Sequence, residues 1–281
     1  MITDLPPENA KQSNSKRPNK INLTGEKATL LMPLYAKALD NHSSHPILHD
    51  EKADEIVSMI DYDFKKLKGF GNGNVMVVRA KQLDEWVKEF LRSNPNAVVL
   101  NLGCGLDTRI SRINPPSTVS WFDVDFPEVI EERQNFYSNR DGYQMIASSL
   151  TELTWLQQTP KDRPAIIIAD GVFEYLTKEE VKGLLNRITN YFPRGQIAFD
   201  TMNSYAMKMG RKRLKERTGA EHRWAVDDVN EVDQLDPKLR RLANLPLLGS
   251  KYLPLKYRRL FGIALILPRY KNMMRLLRYE F

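Results

Sequence analysis

Residues 98–113 read VVLNLGCGLDTRISRI, a β-branched apolar run that stops at Gly103 and turns charged after Gly105. Glycines at the end of an apolar strand let the backbone turn tightly and let a ligand approach it closely. A second run, TVSWFDVD, ends in Asp123 and Asp125, about twenty residues on, where an acid can hydrogen-bond ribose hydroxyls. A third, AIIIAD, ends in Asp170, with Gly171 next. These are the elements of a nucleoside site at strand ends.

The charges choose among nucleosides. A dinucleotide turn wants a third glycine and a helix start that welcomes anions. Here the sixth position of the motif is Thr108, and Asp107 stands beside the turn. Carboxylates crowded at one crevice repel a pyrophosphate and attract a cation. S-adenosylmethionine has a ribose, no phosphate and a positively charged sulfonium, so the crevice's sign selects it over NAD. The plainer reading of these acids is as helix caps or solvated turns.

Cys104 stands between the glycines with no histidine near it in sequence. A thiol with a pKa of roughly 8.5 is mostly protonated at neutral pH, so Cys104 is expected to be a packing residue of the ligand wall. HSSHPILHD sets His42, His45, His49 and Asp50 close together. Pro46 breaks any helix that would align them and no cysteine joins them, so no metal site is expected.

Positioning such a crevice takes a parallel sheet. From Thr24 to Leu91 the apolar spacing is helical, with helices expected over 29–40, 51–64 and 75–92. The period then changes. Short runs rich in β-branched and aromatic residues at 97–103, 118–125, 143–148, 165–170 and 196–202 read as strands, with helices at 128–137 and 178–192 between them. This alternation predicts an α/β fold with a mostly parallel sheet and helices on both faces. A basic helix at 203–223 follows, then a strand at 238–245, a helical YLPLKYRRLFGIALIL and a last antiparallel strand in NMMRLLRYEF at or near the sheet edge. The polar tail 1–22 is expected to be disordered. Residues 23–281 are expected to form one domain, with a helical cover (23–95) and an insertion on the substrate side (203–256).

The chain has 281 residues, a net charge of +7 and a mean hydropathy of −0.47. Its longest greasy run, LFGIALIL, is far short of the roughly 20 residues that cross a bilayer. The N-terminus has no apolar signal region. One cysteine cannot form an intrachain disulfide, which fits a reducing, cytoplasmic setting. Neither a membrane nor nucleic acid is expected as a partner. The densest cationic stretch, GRKRLKERTGAEHR, has no aromatics interleaved with it and reads as a solvated helix face or an anion-steering patch.

NLGCGLDTR, WFDVDFPEV and IIIADGVFEYL together resemble the leucine carboxyl methyltransferase family of class I S-adenosylmethionine-dependent methyltransferases, in particular its bacterial branch of polyketide O-methyltransferases. The resemblance covers about Leu23 to Phe281. It implies a Rossmann-like seven-stranded sheet and S-adenosyl-L-methionine as cofactor, leaving S-adenosyl-L-homocysteine. It places Arg79 against the cofactor's carboxylate, Gly103 under its methionine moiety with Cys104 and Gly105 in the same turn, and Asp125, followed by Phe126, on its ribose. Ser149 and Leu150 fall where the family often has Asp-Leu at the adenine. Asp170, beside Gly171, stands where glutamate is usual, near the methionine ammonium. Tyr175 matches a tyrosine that borders the acceptor pocket, and Lys27 a basic residue near the N-terminus of eukaryotic members. Thr151 replaces the arginine that in those members holds a peptide carboxylate.

The expected reaction is in-line methyl transfer to oxygen, most readily to a carboxylate of a small molecule or a peptide C-terminus. A carboxylate needs no general base, whereas a phenol profits from one. The sequence offers no base beyond His222. Lys208, Arg211 and Arg223 are candidates to dock an acceptor's charge. The alternative is action on nucleic acid, such as a modified tRNA base. The acceptor's identity and the oligomeric state are not written in the sequence.

Overall fold

The computed structural model describes residues 30–67, 73–152 and 154–281, so the expected tail over 1–22 and Lys27 lie outside the described residues. Three helices come first: α1 (Leu31–Asn41), α2 (Glu51–Met59) and α3 (Gly73–Ser93). Asp50 starts α2 by accepting the Ala53 N–H at 3.0 Å, with Glu51 and Asp54 in the first turn. The helix expected to run to Phe64 stops at Met59. Ile60 turns extended and buries its side chain in a cluster with Leu31, Leu34 and Leu106, so packing overrides the helical pattern.

Strands and helices then alternate: β1 (Val98–Leu102), α4 (Arg109–Ile113), β2 (Ser120–Asp125), α5 (Pro127–Arg133), β3 (Tyr143–Ala147), β4 (Ala165–Ala169), α6 (Lys178–Tyr191) and β5 (Gly195–Met202). Thr177 and Glu180 close a reciprocal cap at the start of α6. Helix α5 is shorter than expected because Phe136 and Tyr137 pack against the α1–α2 cluster. The remainder is α7 (Ser204–Thr218), α8 (Asn230–Asp233), β6 (Arg240–Pro246), α9 (Leu255–Ala264), α10 (Pro268–Lys271) and β7 (Met274–Glu280).

The seven strands form one sheet in the order β3-β2-β1-β4-β5-β7-β6. The first five are parallel, and β7 runs antiparallel between β5 and β6. The stretch 203–256 therefore contains a sheet member, β6, and stands off the sheet only before it, as far as Leu239, and after it, from Leu247. Period two builds the core. Val98, Leu100 and Leu102 face one side with Val181, Leu184 and Ile188 of α6. Val99 faces the other with Val78, Leu83 and Val87 of α3. Strand order reverses between β1 and β4, which opens a crevice at their carboxyl ends. Among the described residues no helix is long and apolar enough to cross a membrane.

Candidate active site

Two adjoining cavities open at this reversal, meeting at Leu30 and Gly103. The wider, about 210 Å³, is walled by Asp125, Phe126, Ser149, Leu150, Gly171 and Tyr175. The narrower, about 40 Å³, is walled by Lys37, Arg79, Cys104, Gly105, Asp107 and Asp170. The structure thus gathers the candidate site residues named from the motifs at these two cavities, Asp123 and Lys27 excepted.

The backbone at this point requires glycine. Gly103 has φ +58°, and a Cβ there would lie 2.6 Å from a Val172 methyl. Gly171 has φ +74°, with Arg79 Nη2 2.8 Å from where its Cβ would be. Asp125 clamps the turn: one oxygen accepts the Gly105 N–H at 2.7 Å and the other the Phe126 N–H at 2.8 Å.

The negative crevice expected from the sequence is corrected by its cations. Asp107 pairs with Lys37, with Arg109 at 2.7 Å and with Arg112 at 3.2 Å. Burial alone would raise its pKa, but Arg109, Lys37 and Arg112 outweigh burial and hold it well below the usual carboxylate range. Asp123 is no ribose ligand. It is fully buried, 2.5 Å from Arg133 and 2.7 Å from the Tyr143 hydroxyl, and it accepts from Asn101 and Trp121. Asp170 lies between Arg79 and Arg109, 2.5 and 2.9 Å away. The contact with Arg79 Nε is an ion pair without hydrogen-bond alignment. The narrow cavity therefore carries both signs, Lys37 and Arg79 against Asp107 and Asp170, which suits a zwitterion better than a lone cation. With the Asp125 carboxylate lining the wider cavity beside it, the donor set fits S-adenosylmethionine.

Arg79 also donates to Asp200 at 2.7 Å, and Asp200 accepts the Gly171 N–H at 2.7 Å. Glu174 is buried in the same cluster, with Oε2 unpartnered. Burial, then Asp200, push its carboxyl up to about 8, against the pull of Arg79. The ordinary value is 4.5, so the folded state keeps a proton that the unfolded chain has lost, and stability falls as pH rises from about 5 to about 8. Glu174→Gln removes this dependence. Its melting temperature should match the wild type near pH 5 and exceed it by several degrees near pH 9. A gap that closes with rising pH in thermal melts would refute the assignment.

Cys104 is buried, and burial raises its thiol well above its ordinary value. We expect no labelling by iodoacetamide at neutral pH in the folded protein, and Cys104→Ala to keep methyl transfer within about threefold. Rapid labelling, or loss of turnover, would reinstate it as a reactive group.

The other expectations divide. Of Lys208, Arg211 and Arg223, only Arg223 reaches the cavity wall, 3.0 Å from Glu180; the other two are exposed on α7. His222 is half-buried, its ring 5.3 Å from that of Tyr175 and its Nδ1 unpartnered. Ser149 bonds to the Thr151 hydroxyl at 2.8 Å. His42 pairs with exposed Asp54, while Asp50 turns inward to Arg112 and Thr108. Lys37, Arg109, Arg112, Glu174 and Asp200 were missed. Lys37 is buried on α1 with its partner Asp107 far along the chain, and only the end of QIAFDTM points to Asp200.

The sequence profile described as Leucine carboxyl methyltransferase matches residues 30–189. The chain belongs to this family. Within the leucine carboxyl methyltransferase family it is similar to the tetracenomycin polyketide synthesis O-methyltransferase TcmP of Streptomyces glaucescens. The two are 38% identical over 267 residues, 93% of this chain and 98% of that one. It is also 30% identical to the S-adenosyl-L-methionine-dependent methyltransferase dpfgK of Gibberella zeae, over 79% of this chain and 82% of the relative. A duf574 family protein of Streptomyces avermitilis shares the fold, with a TM-score of 0.59 at 11% identity over 91% of this chain and 97% of the other. The protein is a methyltransferase of the class I fold, and its cofactor is S-adenosylmethionine.

Proposed function

We propose that the protein transfers a methyl group from S-adenosylmethionine to a carboxylate oxygen of a small, polyketide-like acceptor. The observation that carries this reading is the 38% identity to a polyketide O-methyltransferase, which runs almost end to end in both chains. In this reading Asp125 holds the ribose hydroxyls, and Phe126, Ser149 and Leu150 border the adenine. Arg79 and Lys37 hold the cofactor's carboxylate while Asp170 faces its ammonium. Gly103 and Gly171 let the backbone close on it, with Cys104 and Gly105 filling the wall.

When bound, the cofactor supplies a methyl group on an already electrophilic sulfonium. What remains for the chain is alignment, which can lower a barrier by about 7–11 kcal/mol. Tyr175 borders the acceptor, and Arg223 offers it a cation at the mouth of the cavity. An acceptor carboxylate, with a pKa of roughly 4, is ionised at neutral pH and gives up no proton in the transfer.

The orphaned Nδ1 of His222 favours a second reading. Burial lowers the pKa of this ring, which is therefore neutral near pH 7 and able to take the proton of a phenol held against Tyr175. One experiment separates the two. The protein is incubated with radiolabelled cofactor and a cell extract, and the labelled product is treated with base. A labile methyl ester supports the carboxylate reading, a stable ether the second, and absence of label from any small molecule defeats both.

A further inference from the structure

From Leu247 to Tyr279 the chain carries eight cations and no acid. Within this stretch α9 and α10 rise from the molecule with large aliphatic side chains in solvent: Leu255 is 58% exposed, Leu260 68%, Ile266 77% and Leu267 48%. Lys256, Arg258 and Arg259 are exposed beside them, as are Lys251, Arg269 and Lys271. Three of these cations lie over tyrosine rings: Lys251 over Tyr252 at 5.1 Å, Lys256 over Tyr257 at 4.9 Å and Arg269 over Tyr270 at 4.9 Å. Tyr257 and Phe261 turn the opposite face of α9 into the core and hold it against the body.

The place of this surface gives it a purpose. Met274 at the start of β7 pairs with Met202 at the carboxyl end of β5. Asn203 donates to the Arg269 carbonyl at 2.9 Å, and the Tyr205 and Tyr270 rings meet at 5.4 Å. The surface therefore stands on the edge of the sheet where the cofactor cavities open.

Its chemistry narrows the occupant. A second copy packed about a twofold axis would set this cationic surface against itself. Nucleic acid would take the cations and leave four aliphatic side chains in water. An anionic bilayer surface takes both: the exposed aliphatic side chains enter the headgroup boundary, and cations face lipid phosphates. We propose that residues 251–271 form an interfacial docking surface for anionic membranes, holding the mouth of the cofactor cavity toward lipophilic acceptors. Low mean hydropathy gave no sign of this, because interfacial binding depends on one face of a helix and not on its average. The inference does not depend on which oxygen is methylated.

The test is co-sedimentation of the full chain with phosphatidylcholine vesicles, with and without phosphatidylserine. Binding is expected only with phosphatidylserine and should fall with added salt. Leu260→Asp combined with Ile266→Asp should lower the bound fraction about tenfold, and Lys256→Glu with Arg259→Glu about as much. Both double variants should leave S-adenosylhomocysteine affinity in solution unchanged. The proposal is overturned if the anionic vesicles do not sediment the protein or if the aspartates do not weaken binding. It is equally overturned if duplex RNA is bound and survives the aspartate changes, or if a lipid-free dimer forms that they abolish.

Discussion

Asp125→Asn is expected to lower the affinity for S-adenosylhomocysteine by about 10²- to 10⁴-fold in titration calorimetry. Each hydrogen bond from a ribose hydroxyl to a carboxylate contributes about 1.5–3 kcal/mol, and in the proposed reading this carboxylate accepts two. Its oxygens also hold the Gly105 and Phe126 N–H groups at 2.7 and 2.8 Å, so the amide disturbs the turn as well as the ligand. Two readouts separate these effects. Circular dichroism and the melting temperature should stay near wild type, because the strands on either side are buried and continuous. Affinity for 5′-methylthioadenosine should fall in parallel, since it keeps the ribose and lacks the amino-acid end. Undiminished affinity in the asparagine variant would remove Asp125 from the ribose.

Arg109→Met should destabilise the fold by about 3–5 kcal/mol, a fall of about 10 °C in melting temperature. Arg109 is fully buried, 2.7 Å from both Asp84 and Asp107 and 2.9 Å from Asp170. Methionine fills the space but leaves Asp84, Asp107 and Asp170 desolvated with one buried cation fewer, so Arg112, Lys37 and Arg79 must balance them alone. Lys212→Met is the control. Its pairing with Glu216 is exposed and 3.9 Å long, so its loss should change stability by less than about 0.5 kcal/mol. Chemical denaturation of the two variants measures both. Equal stabilities would mean that the buried cluster is solvated.

These two outcomes bear on what a sequence discloses. The strands were legible because alternation and β-branching are local, and all seven stand where the spacing puts them. So was the glycine turn, since Gly103 and Gly105 follow an apolar run and Asp125 closes the next. The electrostatics of the site were not legible. Arg79 meets Asp200 121 positions away, and Lys37 meets Asp107 70 positions away. No window of sequence contains both members of either pair. The local sequence therefore shows acids without their cations and suggests a negative crevice, which Lys37, Arg79, Arg109 and Arg112 make close to balanced. The choice of cofactor stands on the family match, and a zwitterionic end suits such a balance. Helix ends failed where packing decided them, as at Ile60.

The position of β7 bears on how the chain comes to be assembled. It lies inside the sheet but is synthesised after every other strand, so β5 and β6 have no ladder in common until residues 274–280 arrive. Until then the apolar margin of β5 stays open to any extended segment nearby, a hazard for a nascent polypeptide on the ribosome.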